Sequence, residues 1–197
     1  MFATTVTFRC GPRACSANPD RNASRRRHPV VAIHNAVRTS VVPDSRRSRP
    51  RHPALKSAMD EAERLLELDR LHLLDTPPEP VFDAIVAAAR AATGMTMALI
   101  SVVADERQWF KANIGLEGVS ETAREISFCT HAIQQDTLFE IPDARQDPRF
   151  ASNPLVTGGP RIRHYAGISL GSAHGARIGT LCLLDRCPAC CHLRNAN

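Results

Sequence analysis

The spacing of apolar residues changes from a period of 3.6 to a period of 2 at Gly94, and this change limits what the chain can fold into. Before it, Ala62, Leu65, Leu66, Leu68, Leu71, Leu73 and Leu74 form a broad apolar stripe with charges between them, which predicts a helix over Ala62–Leu74. Asp75-Thr76-Pro77-Pro78 stops that helix. Thr76 and Glu79 have capping-box spacing, with Pro77 at the first helical position. They open a second predicted helix with Val81, Phe82, Ile85, Val86 and Ala89 inward, although Pro80 fits poorly in its first turn. Gly94 is the expected C-cap.

After Gly94 the pattern is that of strands. Thr96–Val103 is apolar on both faces, as a central strand requires. Gln108–Ile114 alternates, with Phe110, Ala112 and Ile114 on one face and Trp109, Lys111 and Asn113 on the other. Ser127 is placed as the N-cap of a short helix over Phe128–Gln135. A short strand over Thr137–Ile141 and a long loop over Asp143–Thr157 follow. Arg163–Leu170 and Ala176–Leu184 then close a hairpin across His174-Gly175. The order predicts an α+β domain, an antiparallel β-sheet with helices on both faces.

Charge divides the chain. Residues 1–55 carry 11 Arg against 2 Asp, a balance of +9, while residues 56–197 carry 14 basic and 18 acidic residues, a balance of −4. The basic pI therefore belongs to the N-terminal stretch and gives no reason to expect nucleic-acid binding by the folded part. Residues 1–58 read as a disordered Arg-rich segment. An organelle transit peptide, a basic arm and a tail upstream of a true start at Met59 are its three readings. No run of 18 apolar residues occurs, so no membrane span is expected. Of seven Cys, only Cys129 and Cys182 fall within 59–186, which is no disulfide framework and fits a reducing, cytoplasmic setting.

Several short stretches in order carry a resemblance. They are Glu63-Arg64-Leu65, Leu73–Glu79, Arg107–Lys111, Ser127-Phe128-Cys129 with His131-Ala132-Ile133, and Asp147–Phe150 with Asn153–Val156. Tyr165-Ala166-Gly167 and Ile178–Cys182 with Asp185 complete them. In that order and spacing, residues 59–186 resemble the bacterial GAF domains that precede diguanylate cyclase or histidine-kinase modules. The resemblance implies a GAF/PAS-like fold, small-molecule sensing inside the cell and homodimerisation. His164 and Ser169 depart from it, since Phe and Pro are common at those positions. It also implies a long amphipathic helix after Asp185. Arg186–Asn197 shows no apolar period, so residues 187–197 read as an irregular Cys-rich tail. The coupling helix and output domain are expected to be absent, and a truncated or frame-shifted product is one reading.

The candidate ligand pocket is lined by Trp109, Phe128, Cys129, His131, Phe150 and Tyr165. Trp109 is alternatively core under a helix. Cys129, two residues past Ser127, is either a thiol activated by a helix N-terminus or a buried core thiol. His131 is either a pocket donor or a structural residue. Cys187-x-x-Cys190-Cys191-His192 packs four metal-type ligands into six residues, too close for a tetrahedral site, so no metal is expected. No cofactor is identified. The leading expectation is a sensing or dimerisation input module, self-associating through the Ala62–Leu74 helix, with a possible small-molecule ligand and no enzyme activity. The alternatives are a Cys-dependent redox enzyme of the free methionine sulfoxide reductase type and a degenerate fragment.

Overall fold

The computed structural model describes residues 61–189. The expectations for residues 1–58, and for Cys190, Cys191 and His192, lie outside the described residues. Two helices come first, α1 (Glu61–Leu71) and α2 (Pro80–Thr93). The strands are β1 (Met97–Val103), β2 (Arg107–Ile114), β3 (Glu121–Ala123), β4 (Phe139–Ile141), β5 (His164–Gly171) and β6 (Arg177–Asp185). Two single-turn helices, α3 (Cys129–Ala132) and α4 (Pro154–Thr157), interrupt the connections. All strand pairs are antiparallel, in the order β3-β2-β1-β6-β5-β4. β1 and β6 lie at the centre and are buried over almost their whole length. The α+β architecture with both sheet faces covered matches the sequence expectation, while β3 was not foreseen.

α1 and α2 cover one face. The first helix ends three residues earlier than its apolar pattern suggested. His72 takes φ 47°, a left-handed turn, and frees Leu73 and Leu74 to pack beside Leu68 and Trp109. The buried side of α1 is Arg64, Glu67 and Leu68, and not the leucine stripe. Leu66 and Leu71 face outward. Arg64 is buried because its guanidinium donates to Val103 O at 2.7 Å and grips the Glu61 carboxylate at 2.8 Å. Glu67 is held by His174 Nδ1 at 2.6 Å.

α2 likewise turns a narrower stripe inward. Val86 and Ala89 are buried and Phe82 partly so, while Val81 and Ile85 are exposed. Alanines at 84, 87, 88, 91 and 92 leave the phase of this helix weakly marked in the sequence. The capping expectation is also corrected: Glu79 is the N-cap, without a side-chain bond, and Pro80 is the first helical residue. Gly94 closes the helix at φ 70°, its N–H on Arg90 O.

β2 departs from simple alternation. Ile100 pairs with Ala112 but the next residue, Ser101, pairs with Phe110, so Lys111 is the extra residue of a β-bulge. The bulge puts Phe110 and Ala112 on opposite faces, where plain alternation placed them together. Phe110 joins the cluster of the second face and Ala112 the cluster under α2. Lys111 is then buried beneath the α1–α2 loop, where Nζ donates to Thr76 Oγ1 at 2.7 Å and Pro77 O at 2.9 Å and pairs with Glu79 at 2.6 Å.

Candidate functional site

The second face of the sheet is covered by residues 124–163, and five of the six expected pocket residues meet there. Phe128, Cys129, Phe150 and Tyr165 are buried in one cluster with Phe110, Phe139 and Leu99. Phe128 stacks on Phe150 with ring centroids 4.2 Å apart and planes 7° apart, and on Tyr165 at 5.3 Å. His131 lies at the outer edge, its ring set edge-on to Phe150 at 4.9 Å. Partial desolvation, and then the Arg149 charge, hold the His131 pKa below the usual imidazole value. Arg149 closes the rim, 5.2 Å over the Phe139 ring and 5.3 Å over Phe150, and is anchored to Asp147 at 2.6 Å.

Trp109 does not join them. It points to the opposite face and packs with Leu68, Val102, Ala176 and Ile178 beneath α1. Its strand position next to Phe110 accounts for this, since adjacent residues of a strand face opposite ways.

Cys129 sits at the floor of the aromatic cluster among polar atoms. Its sulfur lies 3.6 Å from Cys182 Sγ and accepts from Thr180 Oγ1 at 3.0 Å and Tyr165 OH at 3.3 Å. Ser101 Oγ and Thr180 Oγ1 are 2.9 Å apart. These groups come from three neighbouring strands in register, Ser101 opposite Thr180 and Gly167 opposite Cys182. All five side chains are almost wholly buried. Burial pushes the Cys129 thiol up, but the bonds from Cys182, Ser101, Thr180 and Tyr165 outweigh it and bring its pKa below the usual thiol range. The bond with Cys129, together with burial, raises the Cys182 pKa well above that range. Burial, then the neighbouring Cys129, raises that of Tyr165. The polarisation of Cys129 thus comes from side-chain donors and not from the helix terminus expected from sequence, since α3 is a single turn.

Ser101 and Thr180 were missed in the sequence. Their signal was a lone hydroxyl at the middle of an otherwise apolar central strand. Two glycines fit the same site. A Cβ at Gly167 would run into the Tyr165 ring, and one at Gly179 into Ser101 O.

Side-chain bonds fasten the covering segment to the sheet. Ser127 Oγ bonds Gln108 Oε1 and accepts from Thr130 N–H at 3.3 Å. Ser169 donates to Gln135 O at 3.0 Å, and His164 Nε2 lies 3.0 Å from Glu140. Each of the two residues that depart from the resemblance, His164 and Ser169, thus has a local polar partner. Arg177 donates to Ile133 O and pairs with Asp136 at 2.8 Å. Asn153 caps α4 through Leu155 N–H and donates to Ile126 O at 2.9 Å. A separate open groove of about 380 Å³ lies by Arg90, Met95 and Ile114 and holds none of the expected pocket residues. Among the described residues no group of three His, Cys, Asp or Glu is placed to hold a metal ion.

The six-stranded antiparallel sheet with helices on one face and an aromatic cluster on the other defines the fold class, and the comparisons give the family. The model of the GAF domain matches residues 50–195, so the chain belongs to the GAF domain family. It is 46% identical over 129 residues to the cyclic di-GMP phosphodiesterase PA2567 of Pseudomonas aeruginosa, covering 66% of this chain and 22% of that protein. The chain therefore spans about a fifth of the length of that relative. Among solved structures, it is similar to the free methionine-R-sulfoxide reductase of Neisseria meningitidis in complex with its substrate. That match has 16% identity and a TM-score of 0.46, covering 71% and 83% of the two chains. The GAF domain of an Acinetobacter phosphoenolpyruvate-protein phosphotransferase matches at 15% identity and TM-score 0.46, covering 64% and 78%. The expectation that the chain is not an enzyme is corrected by these findings, since the relative at 46% identity is itself named as a phosphodiesterase. Among the described residues, no helix is long and apolar enough to cross a membrane.

Proposed function

We propose that this GAF domain is the input module of a larger signalling protein and answers to a small molecule held between the sheet and residues 124–163. The observation that carries the reading is the stack of Phe128 on Phe150 beneath a segment fastened to β5 and β6. A flat, largely apolar molecule entering there replaces the Phe150 ring against Phe128 and finds Cys129, Thr180 and Tyr165 as polar partners at the floor. Displacement of the segment pulls on Ser169 and Arg177. The β5–β6 turn carries the change to α1 through the His174–Glu67 pair, giving two populations that a ligand can bias.

The relative at 46% identity supports an output in cyclic di-GMP turnover, with the matched stretch a minor part of that protein. Attachment to a diguanylate cyclase or histidine kinase is the alternative form of the same reading. Free thiols at Cys129, Cys182 and Cys187 support a cytoplasmic setting, and the exposed apolar residues of α1 and α2 support self-association.

The test is thermal melting and amide NMR of the chain with cyclic di-GMP and a panel of purine and other flat aromatic metabolites. At least one probe should raise the melting temperature and move the signals of residues 127–133 and 165–169. Shifts confined to α1 and α2 would overturn the placement of the site. Chromatography of cyclic di-GMP after incubation separates binding from turnover.

A further inference from the structure

We propose that Cys129 and Cys182 form a peroxide-responsive thiol pair that closes to an internal disulfide and locks the segment carrying α3 onto the centre of the sheet. The proposal is independent of the ligand reading, because it needs only the two sulfurs and their polar neighbours.

The geometry favours a reaction between these two sulfurs over any other. They are 3.6 Å apart, so closing to the ~2.05 Å of a disulfide asks for about 1.5 Å of travel. Both are shielded from other thiols by burial, and no other cysteine of the described residues lies in the cluster around them. The surroundings are unlike those of an inert core thiol. Two hydroxyls, from Thr180 and Tyr165, donate to the Cys129 sulfur, and Ser101 stands behind Thr180. Donors so placed stabilise a thiolate on Cys129, the form that attacks peroxide. Cys182, held protonated, keeps the proton that the second step needs.

The reaction balances without a further component. The Cys129 thiolate attacks one peroxide oxygen, the O–O bond breaks and hydroxide leaves, giving a sulfenic acid. The Cys182 sulfur then attacks the Cys129 sulfur. The S–O bond breaks, and the Cys182 proton leaves with that oxygen as water. The two thiols lose two electrons in all and the peroxide gains them. Burial controls the rate of the reaction: peroxide must enter through opening of the covering segment, so the oxidation is slow compared with that of an exposed thiol.

The consequence is mechanical. Cys129 stands at the start of α3 and Cys182 in the central strand β6, opposite Leu99 and Gly167. A bond between them removes the freedom of the segment to move away from the sheet. It also removes the charged acceptor from Thr180 and Tyr165.

The experiment treats the whole chain with hydrogen peroxide, alkylates it under denaturing conditions and maps tryptic peptides. Cys129 falls in the peptide 125–145 and Cys182 in 178–186, each with a single cysteine. The expected product is these two peptides joined, two hydrogens lighter than their sum, and separable again after reduction. In Cys182→Ser, dimedone should label Cys129 as the trapped sulfenic acid, and in Cys129→Ser the linked product should vanish. Should the variants fail to fold, the map of the unaltered chain decides alone. Full alkylation of Cys129 and Cys182 after peroxide, or linkage of either only to Cys10, Cys15, Cys187, Cys190 or Cys191, would overturn the proposal.

Discussion

Lys111 Nζ donates to Thr76 Oγ1 at 2.7 Å, and this bond joins two stretches that the sequence presents 35 residues apart. The Leu73–Glu79 and Arg107–Lys111 motifs are one structural unit. Arg107 pairs with Asp75 at 2.5 Å at the mouth, while Lys111 takes Pro77 O and Glu79 inside, its charge also resting 5.3 Å over the Phe82 ring. The bulge makes this possible, because it is the extra residue of β2 that turns its side chain under the loop. The unit fixes the path from α1 to α2 and so the way both helices lie on the sheet.

Replacing Lys111 by Met keeps most of the stem and removes three polar contacts. The loop oxygens face partial solvent and recover some hydration, so the expected loss is about 1–2 kcal/mol. Urea unfolding checks it, and hydrogen exchange should show the change concentrated at residues 72–80. A loss below about 0.5 kcal/mol would assign the loop's path to its prolines rather than to the lysine.

The fold was legible because its signals are local. Short runs apolar on both faces over Thr96–Val103 and Ala176–Leu184 mark central strands whatever surrounds them. What was lost depended on contacts between distant residues. The bulge at Lys111 has no local mark, since the residue it serves is Thr76. The buried side of α1 was misplaced because Arg64 and Glu67, polar by type, are drawn inward by Val103 O and His174. Phe128, Cys129, His131, Phe150 and Tyr165, chosen for their aromatic, thiol or imidazole character, come together in one cluster. Trp109 was grouped with them on the same grounds, and only the strand geometry assigns it to the other face. Ser101 and Thr180 pass for ordinary strand residues until the β1–β6 register brings them together.

Trp109 is 8% exposed and fills the space between α1 and β6. Trp109→Ala should therefore cost about 3–5 kcal/mol, the usual range for emptying a large aromatic from a core. Because it lies on the face away from Phe128 and Phe150, the conservative Trp109→Phe should leave any ligand-induced shift at residues 127–133 intact. Loss of that shift in Trp109→Phe would place Trp109 in the site after all.

Glu61 gives a pH signature. Its hydrogen bond with Arg64, aided by Arg124, lowers the carboxyl from 4.5 to about 2, against a smaller desolvation effect. A depressed folded pKa stabilises the protein above the unfolded value and loses that stabilisation as pH falls through the folded one. The melting-temperature gap between the wild-type chain and Glu61→Gln should thus be full above about pH 4.5 and close toward pH 2. The gap should be small, because the side chain is 43% exposed and screened by solvent. A gap that is unchanged across this window would mean Glu61 acts through shape alone.

The outer side of the two helices gives the last prediction. Leu66 is 60% exposed, Val81 58%, Leu71 39% and Ile85 38%, all on α1 and α2 and all turned away from the sheet. Isolated apolar residues on a surface need no explanation, but two large ones on the outer side of each helix favour a partner surface. A second copy is the partner that requires nothing further, since a two-fold pair presents the same patch from both sides. Such an interface loses most when one of its exposed apolar residues gains a charge. Leu66→Glu and Ile85→Glu should each weaken self-association at least about tenfold, equivalent to about 1.4 kcal/mol. Neither should lower the stability of the monomer by more than about 0.5 kcal/mol, because neither side chain is core. Sedimentation across a concentration series measures the first effect and denaturant unfolding the second. A chain that sediments as a monomer throughout, and binds no hydrophobic dye, would show that this face is left to water.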